Sequence, residues 1–324
     1  MLPAAASILF GFIALIWSAN LLVAGAASIA RNLGISPLII GLTVVSLGTS
    51  APEILVSLTA SLSDAGPLAI GNAIGSNIAN IALVLGVTAL VAPLIVDEQC
   101  MKREIPILLV ATVGVGVLIL DGVLSIKDGY LMLAFMTLII VILIFSQVKA
   151  SAQADNPNDE SVPELLPLRA WFTFALGLLV LILSSKLLVW GAVLVAEGLG
   201  ISELVIGLTV VAVGTSLPEL AASVASALRG HTEIALGNII GSNLFNLLAV
   251  MAIPGVVGGQ VLDPEAISRD YASMAALTLF LALAIFVSGK QNKSASKQGY
   301  IGRVLGAVLV SSYALYYYFL LSTG

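Results

Sequence analysis

The segment from Gly34 to Asn80 recurs without a gap from Gly200 to Asn246, 166 residues later. Of its 47 positions 25 are identical, including GLTVV, GTS-x-PE, GN and GSN-x-x-N. Gly41 therefore corresponds to Gly207, Glu53 to Glu219 and Asn80 to Asn246. Between the copies Leu, Ile, Val and Ala exchange freely, while the polar residues stay fixed. Selection for packing alone would give the reverse, so these polar positions read as a site built from two halves.

What surrounds the repeat limits the fold. The chain of 324 residues is 59% hydrophobic and 10% charged, with mean hydropathy +1.11, the composition of a polytopic membrane protein. Ten apolar segments reach spanning length, at roughly 4–30, 36–62, 68–93, 104–121, 128–147, 170–196, 203–228, 234–258, 271–288 and 301–321. The second, third, seventh and eighth are interrupted by Gly, Pro and polar residues, which predicts broken helices there. The N-terminus has no basic region before its first span, so it reads as a helix and not a cleaved signal. A single cysteine, Cys100, allows no internal disulfide framework.

Ten of the basic residues (Arg31, Lys102, Arg103, Lys149, Arg169, Arg229, Lys290, Lys293, Lys297 and Arg303) fall in or beside loops after odd-numbered helices. Lys127 and Arg269 fall on the opposite side, and Lys186 lies within the sixth helix. The positive-inside rule then predicts cytoplasmic odd loops and both termini outside. Five helices per half is an odd number, so the second copy must enter the membrane from the other side. The expected architecture is all-α: ten transmembrane helices as two inverted five-helix repeats, with broken helices 2, 3, 7 and 8 around a midplane ion site. Residues 1–148 form the first repeat, 149–168 a cytoplasmic linker and 169–324 the second repeat.

Glu53 and Glu219 lie near the centres of their spans, where an ionised carboxylate costs a few kcal/mol even on lenient scales. Each follows a proline, Pro52 or Pro218, which clashes with the carbonyl four residues earlier, at Gly48 or Gly214. The break should free carbonyls around 46–49 and 212–215, and in lipid these need partners. Thr49, Ser50 and Glu53 share a helix face at spacings of three and four. Ser76 and Asn80, and likewise Ser242 and Asn246, are one turn apart on the neighbouring spans. All these ligands are hard oxygens, with neither His nor Cys in the repeated motifs, which suits Ca²⁺, Na⁺ or Mg²⁺. Two carboxylates are neutralised by one Ca²⁺ or two Na⁺; Mg²⁺ fits less well because it dehydrates reluctantly.

GTSAPE with GSNIAN, and GTSLPE with GSNLFN, resemble the two alpha-repeat motifs of the calcium/cation antiporter superfamily. Within it the chain is most similar to the prokaryotic sodium/calcium exchanger branch, over essentially its whole length. The resemblance implies calcium-binding carboxylates at Glu53 and Glu219 and calcium-coordinating carbonyls at Thr49 and Thr215. It implies sodium sites at the carbonyls of Ser46 and Ala212 and the hydroxyls of Ser50, Ser76, Ser216 and Ser242, with a central amide at Asn80. It also implies alternating access, the first and sixth helices sliding across the other eight. Asn246 departs from the Asp that several members carry there, leaving two acidic groups, not three. Potassium coupling and sodium number therefore stay open at that residue.

The expected function is secondary antiport of Na⁺ against Ca²⁺ by alternating access, not enzymatic catalysis. The alternative is a Ca²⁺(cation)/H⁺ antiporter using the same two glutamates; an intramembrane carboxylate enzyme and a channel are further readings. Ca²⁺ and Na⁺ are transported ions, with H⁺ and K⁺ as other candidates, and no cofactor is expected. The lipid bilayer is the partner; the sequence points to no nucleic acid, and no protein partner can be inferred. The expected location is a prokaryotic inner (plasma) membrane. Gly71-x-x-x-Gly75 and Gly237-x-x-x-Gly241 read mainly as small-residue packing motifs. Asn72, Asn77, Asn238 and Asn243 divide between interhelical hydrogen bonds and the site. Lys186 reads as a snorkelling or ion-paired cation, with tuning of the ion site as the other account.

Overall fold

The computed structural model describes residues 2–151, 165–200, 212–291 and 298–323. Outside them fall most of the predicted linker, the start of the seventh span with Gly207, and Lys293 and Lys297. Each of the ten predicted spans contains helix among the described residues. They are α1 (Leu2–Leu33), α2a (Pro37–Thr49), α2b (Ala51–Leu62), α3 (Gly66–Val91), α4 (Ile105–Leu118) and α5 (Ile126–Ser151). The second half has α6 (Pro167–Gly198), α7a (Ala212–Thr215), α7b (Leu217–Leu228), α8 (Thr232–Gly258), α9 (Ala266–Lys290) and α10 (Arg303–Thr323). Among the described residues 7 single helices are long and apolar enough to cross a membrane, and the bent pair α2a–α2b makes up to 8. The shorter α4 is entered through a wide π turn, Cys100–Glu104, whose charged residues lower its apolar character.

Helix ends follow the sequence chemistry. Gly34 and Gly200, equivalent under the repeat, both adopt left-handed backbone (φ 64° and 77°) just beyond α1 and α6, the conformation a glycine accepts without a Cβ penalty. Ser36 then caps α2a, its Oγ accepting from the Leu38 N–H at 3.2 Å, with Pro37 in the first turn where no N–H is needed.

Two features differ from expectation. α3 and α8 are not broken: each runs on through a wide π turn, Ala79–Val84 in α3 and Asn246–Val250 in α8. The reason is the absence of proline at these asparagines. An extra residue is absorbed by i→i+5 bonding, and the ladder continues. In α2 and α7 the proline does force a break, but Ser46 is not freed by it. Its carbonyl still accepts the Ser50 N–H at 2.9 Å, with the Thr49 hydroxyl 3.4 Å away as a second donor.

Among the described residues four short strands tie the halves together. β1 (Leu94–Val96), after α3, pairs antiparallel with β4 (Gly299–Ile301), after α9, with Ile95 opposite Tyr300. β2 (Val123–Leu124), after α4, pairs with β3 (Gln260–Val261), after α8. Loops after odd helices thus meet each other, as do loops after even helices.

The buried apolar residues form two groups. One unites α3, α4, α5, α8, α9 and α10 with part of α2a. The other is centred on α1 and α6, with a few residues of α2a, α7b and α8. α1 and α6 pack antiparallel at glycines: a Cβ on Gly25 would lie 2.5 Å from the Phe174 nitrogen, and one on Gly177 2.5 Å from the Leu22 nitrogen. Such backbone approach is how helices associate in lipid, where apolar burial offers little drive. Gly41 approaches α8 in the same way, its Cβ position 2.6 Å from the Ile234 carbonyl oxygen.

Candidate functional site

α2 bends by 45° at Ser50, whose backbone (φ −81°, ψ 5°) leaves the helical region. Ser216 does the same in α7 (φ −88°, ψ 1°). Each proline then sits in the first turn of a new helix, with Glu53 in the first turn of α2b and Glu219 in that of α7b. Helix N-termini carry partial positive charge, so each carboxylate occupies the favourable end of its half-helix. The preceding half-helices, α2a and α7a, present carbonyl ends of partial negative charge.

Both glutamates are 1% exposed. The repeats meet between them. Ser50 Oγ donates to Glu219 Oε1 at 3.2 Å, and Thr49 Oγ1 donates to Asn238 Oδ1 at 3.1 Å. The π turn holding Asn80 packs against α7b, and that holding Asn246 packs against α2b. Ser46, Thr49, Ser50, Ser76, Asn80, Ser216, Ser242 and Asn246 are all buried. Thr215 closes α7a and Ala212 opens its described part. Ser46 Oγ is turned to its own helix, donating to the Leu42 carbonyl at 2.7 Å.

Several polar atoms at the two helix breaks and on the adjoining α3 and α8 are buried without a hydrogen-bond partner: Glu53 Oε2, Glu219 Oε2, Asn80 Oδ1, Ser216 Oγ, Ser242 Oγ and both amide atoms of Asn246. A buried polar atom left unpaired ordinarily costs about 1–3 kcal/mol, more if charged. A cluster of them is a site with ligands to offer. Nearly all are oxygens, and among the described residues no group of three or more His, Cys, Asp or Glu side chains is arranged to hold a metal ion. The arrangement can hold cations of total charge near +2 through carboxylate, hydroxyl and amide oxygens.

Asn72 and Asn238 do the same work in the two halves. Asn72 Nδ2 donates to the Glu53 carbonyl (3.1 Å) and to Ser57 Oγ (3.0 Å); Asn238 Nδ2 donates to the Glu219 carbonyl (3.4 Å) and to Ser223 Oγ (3.0 Å). These amides fasten α3 and α8 to the half-helices that carry the carboxylates. The sequence reading missed Ser57 and Ser223. Their signal was present, since both are unchanged in the repeat and lie one turn beyond the glutamates. Asn77 keeps both amide atoms unpartnered, whereas Asn243 Nδ2 donates to the Ile239 carbonyl at 2.7 Å.

Residues 3–145 and 169–322 match the model of the family described as sodium/calcium exchanger protein. The chain is 44% identical over 328 residues to the putative antiporter CaxA of Alkalimonas amylolytica, covering 100% of both chains. It is 41% identical over 289 residues to the inner membrane protein YrbG of Escherichia coli K12, covering 87% of this chain and 89% of that one. Its fold superposes with TM-score 0.81 on the sodium-calcium exchanger NCX_Mj soaked with Na⁺ and Sr²⁺, at 32% identity over 97% of each chain. The protein is therefore a multi-pass membrane transporter and belongs to the sodium/calcium exchanger family.

Proposed function

We propose that the protein is a secondary antiporter that exchanges Na⁺ for Ca²⁺ across a prokaryotic inner membrane. The observation that carries the reading is the pair of buried carboxylates, Glu53 and Glu219, at matched helix breaks and surrounded by unpartnered oxygens. Two charges of −1 in a low-dielectric site resist crossing the membrane until they are neutralised. One Ca²⁺ does this, or two Na⁺, so the two ions compete for one set of oxygens. That competition couples the fluxes without a chemical step.

In this reading Ca²⁺ is held by the two glutamates and the carbonyls of Thr49 and Thr215. Na⁺ takes the carbonyls of Ser46 and Ala212 and the hydroxyls of Ser50, Ser76, Ser216 and Ser242, while Asn80 and Asn246 supply amide groups. The ten helices form two inverted five-helix repeats, residues 1–148 and 169–324, joined by a cytoplasmic linker with both termini outside. The strand pairing supports this topology, because it joins odd loops to odd and even loops to even. The apolar cluster centred on α1 and α6 supports their movement together.

The test is flux in proteoliposomes. A sodium gradient alone should drive calcium uptake, and a protonophore should leave the rate unchanged. Uptake that needs a proton gradient and ignores sodium would assign the protein to Ca²⁺/H⁺ exchange instead.

A further inference from the structure

The sixth helix carries a cation that the exchange reading does not use. Lys186 lies well inside α6, and its side chain is exposed. It lines a cavity of about 300 Å³ with Pro52, Val56, Ser185, Trp190 and Thr215. Pro52 precedes Glu53 and Thr215 precedes Ser216, so this cavity reaches both helix breaks. Ser185 fixes the adjoining turn of α6 there, its Oγ donating to the Gly214 carbonyl at 3.0 Å. Lys186 forms no ion pair among the described residues. Glu197, on the same helix, stands 11 residues on, about 16 Å at 1.5 Å per residue, beyond the screening length of physiological salt.

The equivalent place on α1 is built differently. The 166-residue shift puts Asn20 where α6 has Lys186, and Asn20 Oδ1 accepts from Arg229 Nε at 2.8 Å. That bond joins α1 to the end of α7b. The two faces are therefore unequal: α1 is bonded to α7b on one, and the other is a cavity with a cation in its wall.

We infer that Lys186 is a fixed charge in the access path to the ion site that discriminates by valence. A positive charge lowers the local concentration of a divalent ion by the square of the factor it imposes on a monovalent one. The inference rests on the Na⁺/Ca²⁺ reading of the site. In the orientation proposed above the cavity lies in the outer half of the membrane, so Lys186 weakens calcium loading on that side more than sodium loading, while the ion gradients alone set the direction of exchange.

The test uses full-length protein in proteoliposomes, with half-saturating Ca²⁺ and Na⁺ measured separately on each face for the wild type, Lys186→Gln, Lys186→Arg and Lys186→Glu. A unit charge about 10 Å from the path, at an effective dielectric constant near 50, corresponds to changes of about 3-fold for Na⁺ and about 10-fold for Ca²⁺. Lys186→Gln should lower the cavity-side values by these factors and leave the other face unchanged. Lys186→Arg should stay within about 2-fold of wild type, and Lys186→Glu should go further than Gln. Equal shifts for the two ions, shifts on both faces, or an Arg variant behaving like Gln would overturn the inference. Unchanged half-saturation with intact exchange would remove the charge filter alone. A wild type that exchanges no sodium for calcium would remove the functional reading beneath it.

Discussion

Replacing Glu219 by Gln keeps the shape of the side chain and removes one of the two charges at the site. Glu219 is 1% exposed, its Oε1 accepts from Ser50, and its Oε2 has no hydrogen-bond partner. Removing one member of a buried charge pair costs about 3–5 kcal/mol, so calcium binding should weaken by roughly 10²- to 10³·⁵-fold. Without ions the sign reverses. The wild-type site then buries two carboxylates with no cation to balance them, and the substitution removes one of those charges. The variant should therefore bind calcium far more weakly yet be more stable in chelator. Calorimetric calcium titration and thermal unfolding of detergent-solubilised protein read the two effects independently. Calcium affinity within about 3-fold of wild type would refute the reasoning, and so would a chelated variant that melts earlier than wild type.

Asn238→Ala removes the acceptor of Thr49 and the donor to Ser223 and the Glu219 carbonyl. It should destabilise the protein by about 1–3 kcal/mol, and Asn72→Ala, which breaks the equivalent pair of bonds, should cost a similar amount in the same unfolding assay. Asn246→Asp adds a third carboxylate beside the two glutamates, where both amide atoms now lack partners. Reversal potentials of the reconstituted variant should shift toward more sodium, or a co-transported monovalent ion, per calcium; an unchanged stoichiometry counts against residue 246 as part of the site.

Much of this was legible because lipid leaves the backbone few options. Where water is absent, spans must be helical, and their apolar length marks them in the sequence. The breaks at Ser50 and Ser216 could be read from Pro52 and Pro218, since the ring's clash acts locally. The continuity of α3 and α8 could not be read from composition. Gly, Ser and Asn at 71–80 and 237–246 look like an interruption, yet a helix can carry buried amides if it widens by one residue, as at Asn80 and Asn246. Whether a stretch breaks or widens depends on what packs against it. The partners of Asn72 and Asn238 were hidden for a related reason: their bonds to Ser57 and Ser223 join neighbouring helices, and spacing along one chain says nothing of which hydroxyl faces which amide. For Ser46 the spacing was sufficient: Pro52 takes the donor from Gly48 and leaves Ser46 the Ser50 N–H.

The central claim is that one divalent cation sits between the two half-sites. Anomalous diffraction from crystals soaked in Sr²⁺ without sodium tests it most directly, strontium standing in for calcium. One strong peak should bridge the carboxylates of Glu53 and Glu219, at about the 2.3–2.6 Å of calcium–oxygen bonds or slightly longer. A peak bound elsewhere in the chain, with neither glutamate among its ligands, would contradict it.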